Sequence, residues 1–152
     1  MNLAAFYRLS LLLTGDEQRA EALLFETLGD CEERLGEIRE SHREAWLASR
    51  LKAGAVKFSG DFSEGGRVSV GGREMELVCR AFQALSERQR SALGLFYTDL
   101  FDGDEIAKIM GLTLEQLCEV LMGARQVLNS ALSEEGEARG ERDAEGGGNS
   151  SA

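Results

Sequence analysis

An all-α protein is predicted by three features of the chain. Apolar residues recur at helical spacing along most of its length, capping boxes precede several of those runs, and proline is absent. The 152 residues divide into two small helical domains. Residues 1–58 form a three-helix bundle and residues 73–132 a four-helix unit containing a helix-turn-helix. A Gly-rich flexible linker at 59–72 joins them, and an acidic, Gly-rich tail follows at 133–152.

The first helix is expected from Asn2 to Leu13, with Leu3, Phe6, Leu9 and Leu13 on one face. Thr14-Gly15-Asp16 breaks the chain and caps the next helix, from Glu17 to Leu35. Its apolar stripe runs through Ala20, Leu23, Leu24, Thr27, Leu28, Cys31 and Leu35. Ser41-His42-Arg43-Glu44 has the form of a capping box opening a third helix to about Phe58, with Trp46 as its largest anchor. In the linker, glycines recur at 60, 65, 66, 71 and 72, and Val68 and Val70 hint at a brief extended piece.

The second unit is expected to hold helices near Arg73–Leu85, Glu87–Leu100, Asp104–Met110 and Leu114–Leu132. Ser86-Glu87-Arg88-Gln89 and Thr113-Leu114-Glu115-Gln116 are capping boxes. Between them, Asp102 to Gly111 reads as a short helix with acids in its first turn and a glycine where a left-handed residue is needed. A short helix, a glycine turn and a longer capped helix are the parts of a DNA-reading hairpin. Leu117, Leu121, Ala124, Leu128 and Leu132 follow one face of the last helix and seat it on the helices before it.

Composition narrows the function. A net charge of −10 and a sequence pI near 4.7 argue against a general polyanion binder. Part of that acidity is the tail, whose composition supports no core and reads as disordered. Cys31, Cys79 and Cys118 are far apart, and His42 is the only histidine, so no metal site and no cofactor is expected. The apolar opening at Leu3–Leu13 is too short to span a bilayer, and the expectation is a cytoplasmic protein with reduced thiols. There is no phosphate loop, no isolated carboxylate pair and no nucleophile beside a base, so no catalytic residue is assigned and an enzyme is not expected.

Three passages carry a family resemblance. The first is Leu12-Leu13-Thr14-Gly15-Asp16 with Ala20-Glu21-Ala22-Leu23-Leu24-Phe25-Glu26-Thr27-Leu28. The second is Ala45-Trp46-Leu47. The third joins Ala84-Leu85-Ser86-Glu87-Arg88-Gln89-Arg90 with Glu105-Ile106-Ala107 and Gly111-Leu112-Thr113. In this order they resemble the small two-domain sigma factors of the extracytoplasmic-function group, in the sigma-70 family. That resemblance implies a transcription-initiation protein that binds core RNA polymerase and promoter DNA. It implies that Glu21, Phe25 and Glu26 face the polymerase clamp. Arg43, Arg50, Lys52 and Lys57 would lie towards the melted promoter element; Trp46 and Phe58 are candidate stacking groups there, and the alternative for Trp46 is to fill the core. Thr113, Glu115, Gln116, Glu119 and Arg125 would enter the major groove.

The last helix departs from the family pattern. Cys118, Val120 and Gly123 stand where a lysine and two arginines are usual, and Ala22 and Phe25 replace polar residues in the clamp-binding run. Only Arg125 is basic between Leu114 and Leu132, against Glu115 and Glu119. Acids aimed at a phosphate backbone repel it, although a Glu can accept from cytosine N4. An alternative therefore stays open: a sigma-like interaction module that binds a protein, an anti-sigma factor or the polymerase, without reading DNA. On that alternative Cys118, Val120 and Met122 form a mildly apolar centre. The bland reading of the same positions, and of the basic residues of the third helix, is a solvated helix face.

Overall fold

The computed structural model of the chain describes residues 2–34, 36–58, 68, 69 and 71–148. Most of the 59–72 linker, Leu35 and the last four residues lie outside that set. The described residues form an all-α fold of seven helices: α1 (Leu3–Thr14), α2 (Glu17–Arg34), α3 (Arg43–Ala55), α4 (Gly72–Phe82), α5 (Glu87–Tyr97), α6 (Gly103–Met110) and α7 (Leu114–Gly148).

The helix starts follow the capping chemistry in most places. Asn2 caps α1 by accepting from Ala5 N, and Asp16 caps α2 by accepting from Arg19 N. Gly15 ends α1 at φ +71°, a left-handed conformation that favours glycine. The Ser86/Gln89 box forms in both directions. The box expected at Ser41–Glu44 does not form. Residues Glu40–His42 make a 3-10 turn, and His42 takes the cap position without a side-chain cap bond. That turn holds Ser41 in helical geometry, away from the extended conformation a capping hydroxyl requires. At its other end α3 stops at Ala55 and runs into a second 3-10 turn, Val56–Phe58. The helix α7 continues through Gly148, so residues 133–148, which read as disordered by composition, extend it.

The two halves share their core. One buried cluster joins Phe6, Leu9 and Leu13 of α1 with Leu47 and Leu51 of α3, and with Leu95, Ile106 and Leu117 from the second half. The other joins Leu11 and Leu12 of α1 to Phe82, Leu85, Leu93, Ala124 and Leu128. The helix α1 thus feeds both clusters, and Leu9, Leu11, Leu12 and Leu13 are all buried because both sides of that helix are covered. Gly94 of α5 lets this happen: a Cβ there would sit 3.0 Å from Leu9 Cδ1. Val68 is buried in the second cluster, and Ser69 Oγ donates to Glu17 Oε1 at 2.8 Å, which ties this part of the linker to α2.

Candidate functional site

The α6-turn-α7 hairpin is built by local hydrogen bonds. Asp102 and Glu105 form a reciprocal box at the start of α6, with Glu105 N donating to Asp102 Oδ1 at 2.8 Å. At its end Gly111 takes φ +68°, Gly111 N donates to Lys108 O and Leu112 N to Ala107 O. That pair of bonds is a Schellman motif. Thr113 and Gln116 then cap α7 mutually: Gln116 N donates to Thr113 Oγ1 at 3.1 Å and Thr113 N to Gln116 Oε1 at 3.0 Å. Leu117, Ala124 and Leu128 are buried and Leu121 is half-buried, which seats α7 as its spacing predicts.

Of the residues assigned to DNA on this hairpin, Thr113 and Gln116 are thus engaged in capping. Glu115 and Glu119 are exposed, as are Cys118 and Met122, while Val120 is half-buried against the core. Arg125 is exposed and places its guanidinium 5.3 Å from the ring centre of Phe96 on α5. Between Leu114 and Leu132 the outward face of α7 therefore carries acid and sulfur side chains around Arg125.

The basic residues of the third helix part company. Arg50 stacks its guanidinium 5.4 Å above Trp46, and its Nε is buried with no hydrogen-bond partner among the described residues. Trp46 itself is half-buried at the margin of the first cluster, so it covers the core rather than filling it. Arg43 is half-buried at the start of α3. Lys52 turns the other way and donates from Nζ to Ile109 O at 3.2 Å, on the last turn of α6. The Schellman bonds leave that carbonyl open, and an ammonium there also complements the negative end of the helix dipole. Lys57, past the end of α3, reaches Glu26 at 3.4 Å in an exposed pair. The side chain of Phe58 lies outside the described residues.

On α2, Glu21, Phe25 and Glu26 all face solvent, and Phe25 is 80% exposed. Near this helix, burial raises the Tyr7 hydroxyl pKa, with the charges of Glu17 and Glu21 adding to the effect.

Sequence reading missed Arg90. Its Nε donates to Phe82 O at 3.1 Å, and its terminal nitrogen reaches Leu85 O at 2.9 Å and Gln83 O at 3.5 Å. It closes the carbonyl end of α4 from the next helix, and burial lowers its pKa while Glu87 partly offsets this. It also missed the exposed Phe96-Tyr97 pair. No local signal marked it, since Arg90 to Leu95 are buried all round α5 and Tyr97 shares the face of Leu93.

All three cysteines are free thiols, Cys31 and Cys79 buried and Cys118 exposed. Burial pushes the Cys79 thiol up to about 12, which leaves it neutral and unreactive. No group of three or more His, Cys, Asp or Glu side chains gathers in a ligand shell among the described residues, and no helix there is long and apolar enough to cross a membrane.

No family profile matches the chain, and no curated protein matches it. Among solved structures it is similar to the sigma factor RpoE from Bartonella quintana, determined in complex with the anti-sigma factor NepR. The TM-score is 0.72 over 86% of this chain and 91% of that one, at 22% sequence identity. The likeness is one of fold.

Proposed function

We propose that this chain is a sigma-like module that acts in transcription control by binding a protein of the anti-sigma type, and not by reading promoter DNA. The observation that carries this reading is the solvent face of α7. Glu115 and Glu119 stand exposed where a groove-reading helix needs cations, and Arg125, the basic residue between Leu114 and Leu132, rests on Phe96. Every phosphate contact that is missing also removes the counterion release that drives DNA association. Two of the four candidate cations of the other half are already engaged, Lys52 at the end of α6 and Lys57 with Glu26. The sigma factor with the same fold was determined with an anti-sigma factor bound, which supports a partner of that kind here.

A second reading is favoured by α2. There the exposed Phe25 between Glu21 and Glu26 offers a contact for core RNA polymerase, with promoter DNA then reached through α7 and through Arg43 and Arg50. Fluorescence anisotropy of labelled promoter duplexes, titrated with the full chain from low to physiological salt, separates the two. The first reading expects no saturable binding even at low salt. Binding that weakens steeply with salt, and weakens further in Arg125→Ala, would instead establish the second.

A further inference from the structure

Exposed large hydrophobic side chains are concentrated at one place on this molecule. Of the seven among the described residues, Leu3, Phe25 and Val56 stand on separate elements, whereas Phe96, Tyr97, Leu114 and Met122 belong to α5 and α7. Met122 is 66% exposed and Leu114 49%. Leu114, Cys118 and Met122 are spaced by four residues, so they line one side of α7 over a rise of about 12 Å. Arg125 falls within the same arc of about 80° and contacts Phe96, whose ring centre lies 6.0 Å from that of Tyr97. Arg125 therefore links this side of α7 to the exposed aromatic pair at the end of α5.

The border of this stripe on α7 is acidic. Glu115 and Glu119 flank it on α7, and the Leu114 end abuts Gly103, beside the exposed Asp102, Asp104 and Glu105. Arg125 within the stripe and Lys108 on α6 are the nearby cations.

We propose that this stripe is the seat of a single helix from a partner protein, with an apolar face and a lysine- or arginine-rich flank. The proposal rests on the protein-binding reading above and supplies the partner's chemistry. A straight ridge two turns long suits a helix laid alongside α7, which brings its own backbone hydrogen bonds, whereas an extended peptide needs a sheet edge that no described element offers. The acidic border selects basic flanking residues and repels phosphate. It also opposes a second copy of this chain, since a two-fold contact would set the acids of one border against those of the other.

The test uses the full chain and a fluorescent designed Leu/Lys amphipathic peptide of about five turns, read by anisotropy, with melting curves for every variant. Binding is expected to weaken at least tenfold in Met122→Glu and again in Leu114→Glu, although both changes increase the attraction of the protein for a basic peptide. The matched control Leu3→Glu, which adds the same charge at an exposed apolar residue of α1, should bind as the parent does. Equal binding by the parent and both stripe variants would mean that charge alone holds the peptide, and would overturn the seat on α7. The protein-binding reading would then stand or fall by its own duplex titration. A dimer in sedimentation that Met122→Glu dissociates would also overturn the proposal, by assigning the stripe to a second copy.

Discussion

Arg90 and Cys79 show how a single buried residue acts in this fold. Arg90 brings a charged group under the surface, which is tolerated because it meets the carbonyls of Phe82, Gln83 and Leu85 at the end of α4. Nothing in the local sequence announces this, since the partners lie five to eight residues back across a turn. Cys79 acts through its proton. Its folded pKa of about 12 stands above the ordinary value of 9.0, so the stability it contributes is complete below pH 9 and is lost as the pH climbs towards 12. Melting temperatures of the parent and Cys79→Ala should therefore converge as the pH is raised from about 9 to about 11. A constant gap between the two curves would show that the thiol ionises as freely in the fold as in the unfolded chain. At neutral pH a thiol reagent should modify Cys118 alone until the protein is unfolded.

Among the elements, caps written as short motifs held where the backbone before them was extended. Ser86 and Asp102 have that conformation, and both form their reciprocal boxes. Thr113 forms the same pair of bonds with Gln116. Ser41 carries an equally good motif and fails, because a 3-10 turn claims its backbone. Whether a cap forms thus depends on the geometry leading into it, which a four-residue pattern does not contain. Thr113→Ala should cost about 1 kcal/mol and shift the denaturant midpoint without changing the slope of the transition. Helix ends were read less well than helix starts. The helix α5 stops at Tyr97, and Asp99 turns the chain at φ +57°, a left-handed conformation that no glycine marked.

For the whole molecule, the decisive feature is α1, which contributes to both buried clusters and lies between the halves. The contact at Gly94 gives a direct test. Gly94→Leu would drive a side chain into Leu9 and the Phe82 ring, and should destabilise the protein by about 1–3 kcal/mol. Hydrogen exchange should then speed up in α3 and in α7 together, because each packs on a cluster that α1 completes. Faster exchange confined to one half would mean that the halves unfold independently. The sequence by itself determined the helical class, nearly all the helix starts, the helix-turn-helix and the shortage of cations on its last helix. These follow from hydrogen bonds and spacings that span only a few residues. Only the tertiary structure decided that the halves share a core, that Lys52 closes α6 and does not face outward, and that Arg125 of α7 meets the exposed Phe96-Tyr97 pair of α5. Each of these depends on which helix faces which, and that is set by long-range packing around α1 that no local pattern encodes.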